Sequence, residues 1–204
     1  MNFYILLGIV LVILVVISFM YYMGFFYTPK AVVKCVDEMH IVNMNFQGPF
    51  RYYNNAVNLF MTQYKECFGE YPNKATTGSI YYDMVTPDCD KMTLRWSVFA
   101  VISPDQYEKY QQQVGLDLRI YTLPQSHIAL TSFPMRNVFS YGIGSRKAYP
   151  VLNELLKQNN FKQYGCVELY NCSGVPIKYI FYIDECEVFN DALNDTPCIQ
   201  VSTL

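Results

Sequence analysis

Met39-His40-Ile41-Val42-Asn43-Met44-Asn45-Phe46, broken by Gly48-Pro49, is the stretch on which the fold turns. Its alternating, partly β-branched apolar residues predict a strand, and the Gly-Pro pair predicts its stop. Beyond it, Phe50, Tyr53, Val57, Phe60, Tyr64 and Cys67 recur at intervals of three or four, which predicts a helix opening at Pro49 and closing at Gly69 with one face buried. Two more strands follow, Ser79–Tyr82 and Leu94–Val101, around a polar turn at Pro87-Asp88. The order is strand, helix, strand, strand.

The same order repeats downstream. A strand at His127–Phe133 ends at Pro134, and a helix runs from about Asn137 to Asn160 with Ala148, Val151, Leu152, Leu155 and Leu156 in helical period. Pro150 must start a helical segment there or kink one already running. Strands Cys166–Tyr170 and Ile177–Ile183, with Ser173-Gly174 as the turn, close the second unit. Between the copies, Pro104 to Val114 predicts a short surface helix and Leu116–Tyr121 an extra strand. Two such units predict an α+β fold, a mostly antiparallel sheet covered by two helices on one face.

Working outward, Phe3 to Tyr27 is an uninterrupted apolar run with no charge before Lys30. A span needs roughly 20 apolar residues to cross ~30 Å of hydrocarbon, so the run is long enough, with Phe3, Leu14 and Phe26 marking its start, middle and end. A cleaved signal would carry a basic start and small residues before the cut. The bulky end (Phe19, Tyr21, Tyr22, Phe25, Phe26, Tyr27) suits an aromatic belt at the headgroups instead. An uncleaved single-pass anchor is expected, and Lys30 and Lys34 just after it place the following domain in the cytosol. Seven cysteines without framework spacing suit a reducing compartment. Two glycosylation-acceptor patterns, at Asn171 and Asn194, would argue for the lumen if they carried sugar. The expected organisation is an anchor at 1–28, a juxtamembrane linker at 29–38, one folded domain at 39–184 and a short C-terminal tail at 185–204.

A net charge of −2 leaves no electrostatic footprint for nucleic acid. Aromatic residues make up 17% of the chain, 19 of them Tyr, a composition that serves cores, pockets and interfaces alike. Gly142-Ile143-Gly144-Ser145-Arg146-Lys147 lacks the spacing of a phosphate-cradling loop and reads as a helix start. No cofactor is expected, and no paired Cys or His spacing points to a metal. His40 and His127 fall in predicted strands, where structural roles are expected, so catalysis is not. Asp83, Asp90, Lys91 and Arg95 flank one turn and read as a salt-bridged hairpin.

Tyr81-Tyr82-Asp83, Pro87, Asp90-Lys91, Arg95, Pro124, Ser126-His127 and Thr131-Ser132-Phe133-Pro134 together resemble the gyrase-inhibitor-like effector-binding domain family. The likeness continues through Arg146-Lys147, Pro150, Leu152 and Cys166–Tyr170, and is strongest to the family's membrane-anchored animal branch, the testis-expressed receptors of endoplasmic-reticulum autophagy. The resemblance implies a single-pass protein of the endoplasmic-reticulum membrane acting as a selective-autophagy receptor or adaptor. Its partners would be the lipid bilayer and, directly or through another adaptor, autophagosomal ubiquitin-like proteins. The docking pattern is imperfect here: Phe189-Asn190-Asp191-Ala192 offers Ala where a branched aliphatic residue is needed, a loss of about 2 kcal/mol of burial.

In bacterial sensors of the same family a Glu matching Glu168 faces a ligand cleft, which implies a small amphipathic or cationic ligand. Strand alternation alone equally allows Val167 and Leu169 to face the core while Glu168 and Tyr170 face solvent. Tyr82, Trp96 and Tyr170 are candidates to line the same cleft, or to serve as packing. A membrane-tethered small-molecule binder is therefore the alternative to the autophagy role. Some soluble relatives hydrolyse small esters or strained rings, which supplies a third.

Overall fold

The computed structural model describes residues 3–72, 76–83, 90–112, 117–170, 175–186, 188–189 and 198–201. The turns expected at Pro87-Asp88 and Ser173-Gly174, both glycosylation-acceptor patterns, and Ala192 of the docking pattern lie outside the described residues.

Helix α1, Phe3–Tyr22, is 20 residues long and none of them is buried by the rest of the chain. At 1.5 Å per residue it measures about 30 Å, the thickness of a hydrocarbon core. Its mean hydropathy of 3.1 and full exposure exclude a core helix and suit a membrane anchor or a signal sequence. Phe3 and Leu14 lie on this helix, but Phe26 does not. The chain turns at Gly24 (φ 81), where a Cβ would come within 2.7 Å of the Phe133 ring. The helix thus ends five residues before Tyr27, the end of the apolar run, because residues 23–27 turn back onto the domain.

The strands are β1 (Val32–Val36), β2 (Met39–Gln47), β3 (Thr77–Tyr81), β4 (Arg95–Val101), β5 (Arg119–Leu123), β6 (Ser126–Phe133), β7 (Gly165–Tyr170), β8 (Ile177–Tyr182) and β9 (Ile199–Gln200). They form one sheet in the order β1-β6-β8-β7-β3-β4-β2-β5, with β9 added in parallel beside β2. All other pairings are antiparallel. The repeat is visible in that order: β6-β8-β7 mirrors β2-β4-β3, and the halves join through β3 and β7.

Two elements were not foreseen. Within the expected linker, β1 pairs with β6 from Val32–Leu130 to Val36–Ser126, and Thr131 Oγ1 donates to Lys30 O at 2.9 Å. Within the expected tail, β9 runs beside Phe46 and Gln47. Neither segment shows a clean period of two, since β1 is exposed on both faces and β9 is two residues long.

Helix α2, Tyr53–Phe68, follows a single 3-10 turn at Phe50–Tyr52 and buries Ala56, Phe60, Tyr64 and Phe68 against the β2–β4 half. Gly69 ends it in the left-handed region (φ 78), its N–H bonded to Lys65 O at 2.8 Å. Helix α3, Pro104–Tyr110, opens on a Ser103/Gln106 capping box. Its Tyr110 stacks on Phe68 at 3.8 Å between centroids. Helix α4, Phe139–Asn159, buries Ser140, Gly144, Ala148, Leu152 and Leu156 over the β6–β8 half. Gly142–Lys147 forms its early turns, and Pro150 sits exposed within it, so the helix runs through the proline rather than starting there.

Both helices cover the same sheet face. The register fixes this: Trp96 and Val98 under α2 pair with Tyr81 and Ser79, which pair with Cys166 and Glu168, which pair with Phe181 and Tyr179 under α4. The other face carries a second apolar cluster that includes Ile41, Phe99, Ile80, Val167, Ile180 and Phe189.

Gly144 lets α4 approach closely, since a Cβ there would meet Tyr179 Oη at 2.4 Å and the Phe133 ring at 3.1 Å. Gly144→Ala is expected to cost about 1–3 kcal/mol through overpacking. Gly142→Ala, with nothing within 4 Å of its added methyl, is expected to gain up to about 1 kcal/mol of helix propensity. Denaturant unfolding of the two variants beside the parent in detergent measures both.

Candidate functional site

Where β3 meets β7, the sheet is overlooked by both helices, and Glu168 stands at that seam opposite Ser79. Only 6% of its surface remains exposed. Its carboxylate accepts hydrogen bonds from three phenols: Tyr149 on α4, Tyr170 on β7, and Tyr81 on β3 at 3.3 Å. Tyr81 and Tyr170 also bond to each other at 3.0 Å. Among the described residues, no basic side chain lies within ion-pair distance of it.

Further aromatic rings close the cage. Tyr53 of α2 and Tyr141 of α4 pack edge-on against Tyr170 at 6.2 and 5.1 Å, one from each flank. Tyr53 bonds to Ser79 Oγ at 2.9 Å, and Phe50 sits edge-on to Tyr81 at 5.2 Å. These rings fill the space over the carboxylate. Two open surface depressions, of about 500 and 360 Å³, lie along α4 around Phe161 and around Pro150, and neither touches Glu168.

Burial pushes the Glu168 carboxyl above its ordinary range, against the pull of its three phenol donors. Burial, and then the Glu168 charge, raise Tyr81 and Tyr170 well above the usual phenol range. Those phenols therefore stay protonated and serve as donors. The Cys166 thiol, near Tyr149 Oη at 3.8 Å, is likewise pushed up by burial, which leaves it a poor nucleophile.

Of the residues singled out from sequence, Glu168 and Tyr170 are brought together. Trp96 is close but one layer removed: fully buried, it stacks under Tyr53 at 5.5 Å and donates Nε1–H to Gly48 O. Tyr82 is not in the cage. It lies on the opposite sheet face, donating to Asn45 and Ser97. The alternation of β3 puts Tyr81 rather than Tyr82 in phase with Ser79, a signal legible in the sequence once the strand's facing is known. Tyr53, read from sequence as part of the buried face of α2, and Tyr141 and Tyr149 are not among the sequence candidates for the site, because their helices bring them to a strand more than a dozen residues distant.

The remaining candidates settle elsewhere. Asp83 grips Arg95 through both carboxylate oxygens, at 2.7 Å to Nη2 and 3.0 Å to Nε, while Asp90 instead caps its own turn by accepting Met92 N–H. His40 bonds to Thr122 Oγ1 and stacks on Tyr107, and His127 pairs with Asp184 at 2.9 Å. No three His, Cys, Asp or Glu among the described residues converge to hold a metal ion.

No family model matches the chain, and no curated protein sequence matches it. Among solved structures it is similar to EcmrR in its DNA complex with RPo, at TM-score 0.57 and 14% identity over 85% of this chain and 65% of that one. It is also similar to the EcmrR C-terminal domain, at TM-score 0.52 and 13% identity over 78% of this chain and 99% of that one. A weaker likeness, TM-score 0.45 and 9% identity over 80% of this chain and 99% of that one, links it to SAV2435 bound to tetraphenylphosphonium. At these identities the likeness is one of fold. The fold is gyrase-inhibitor-like, and the match spans 65% of the EcmrR chain in the DNA complex.

The raised carboxyl has a consequence for stability. Because the folded state holds Glu168 above its unfolded value, its favourable contribution is complete below the ordinary carboxylate range and is lost as pH rises through the folded value. Glu168→Gln is expected to flatten that decline and to melt above the parent at neutral pH. Melting curves of both proteins across a pH series check this.

Proposed function

We propose that this chain is a membrane-tethered small-molecule-binding protein whose ligand is a hydrophobic cation. One observation carries the reading: a buried carboxylate that, among the described residues, is held by phenols and by no cation, at the seam where two helices flank one sheet face. A buried anion without a cation is costly, and a partner removed from such a pair typically costs 3–5 kcal/mol. A ligand cation supplies that partner, and the surrounding rings add cation–π attraction. The EcmrR C-terminal domain supports the reading at the level of fold.

The cage is closed in the present state, so binding requires Tyr53 or Tyr141 to swing from Tyr170. Both sit on helices rather than on the sheet, which leaves the seam itself undisturbed. Binding also displaces the proton that burial favours on Glu168, so affinity rises with pH. The role is binding, not turnover.

The tether is α1, with the domain on the cytosolic side where Lys30 and Lys34 follow the span. The finer reading implied by the resemblance, a receptor or adaptor for autophagy of the endoplasmic reticulum, has less behind it. Phe189, the aromatic residue of the candidate docking pattern, is buried and packs on Tyr182 at 4.9 Å, where no partner reaches it.

Tetraphenylphosphonium is expected to raise the melting temperature of the detergent-purified chain, while neutral triphenylphosphine oxide does not. At a hundred times Kd the stabilisation corresponds to about 2.7 kcal/mol. Glu168→Gln should abolish the response, and an unchanged response in that variant would reject the assignment.

A further inference from the structure

The end of α1 does not project freely from the domain. Arg136 lies over the Tyr22 ring at 5.7 Å, Asn137 Nδ2 donates to Met23 Sδ at 3.0 Å, and Lys147 Nζ holds the carbonyls of Phe25 and Tyr27. The last turn of the span therefore rests on the loop that leads into α4. If α1 crosses a bilayer along its length, that loop lies at headgroup level.

The next two residues are Val138, which caps α4, and Phe139, its first residue, with 69% and 66% of their surfaces exposed. Their exposure is enforced by the loop's own bonds. Ser140 Oγ accepts the N–H groups of Arg136 and Asn137 at 2.9 and 3.2 Å, and Asn137 Oδ1 accepts Phe139 N–H at 3.0 Å. Two large apolar side chains held outward beside a span end have a natural solvent in the interfacial zone. From Ile128 to Asn153 the chain carries Arg136, Arg146 and Lys147 and no acidic residue, which favours anionic headgroups.

We infer that Arg136–Phe139 makes a second contact with the membrane, Val138 and Phe139 entering the boundary between headgroups and acyl chains and Arg136 facing anionic lipid. The contact is continuous with α1 and rests on the reading of α1 as a membrane span. Apolar side chains of this kind reach about 5–10 Å into the boundary. With α1 they give two points of attachment, which fixes the tilt of the domain over the bilayer.

The test places single tryptophans in the full chain, reconstituted in nanodiscs of phosphatidylcholine and phosphatidylserine. Trp96, the one native tryptophan, is fully buried and supplies the background. Phe139→Trp is expected to emit to the blue and to lose its emission when lipids brominated near the headgroup are used. Met92→Trp, exposed beside β4 at the far end of the sheet, is expected to be quenched by aqueous iodide instead. Val12→Trp, within α1, reports on the span separately through lipids brominated deep in the chain. Deep quenching of Val12→Trp with iodide quenching of Phe139→Trp overturns the second contact and leaves the tether standing. Iodide quenching of both overturns the two together.

Discussion

The pairing of β3 with β7 is the constraint from which the rest of the molecule follows. Each half of the chain makes a three-stranded unit with one helix, and neither unit alone covers both edges of its sheet. Joining them through β3 and β7 creates one continuous face and leaves a seam between the helices. Gly78 makes the join possible, since a Cβ there would meet Glu168 O at 2.2 Å and the Phe99 ring at 2.6 Å. The strand that closes the sheet is the same strand that carries the buried carboxylate.

That placement sets up an electrostatic tension the chain resolves only in part. Three phenols satisfy the oxygens of Glu168, but hydrogen bonds from neutral donors do not replace the hydration of a full charge. Burial consequently wins over hydrogen bonding and favours the protonated form. A group poised this way responds to positive charge brought to it, and on that ground the proposed function is assigned to the seam rather than to the open depressions along α4.

The attachment of α1 has the same character of enforced geometry. A flexible linker would let the domain tumble over a membrane. Here the chain after α1 is captured by the sheet through β1 and pinned by Lys147, so the direction of the helix and the orientation of the sheet are coupled. The seam between the helices then holds a fixed attitude toward any bilayer that α1 crosses.

Much of this was legible in the residues. Periods of three to four placed α2 and α4, and β-branched alternation between Gly, Pro and polar breaks placed β2, β4, β6, β7 and β8 within a residue or two. Apolar length marked α1, though not its end, because residues 23–27 are as greasy as a span while packing on Phe133 and α4. Glu168 and Tyr170 were legible as candidates by likeness to known sensors, whereas Tyr82 was chosen over Tyr81 for want of the facing of β3. Sequence by itself determined the apolar helix, α2, α4 and the strands of the two repeated units, since those depend on local period and residue chemistry. Only the tertiary structure decided that Glu168 is buried, that Tyr53, Tyr81, Tyr141 and Tyr149 surround it, and that residues 32–36 and 199–200 are strands. Those outcomes depend on which faces meet across the β3–β7 seam, a long-range property that no local window contains.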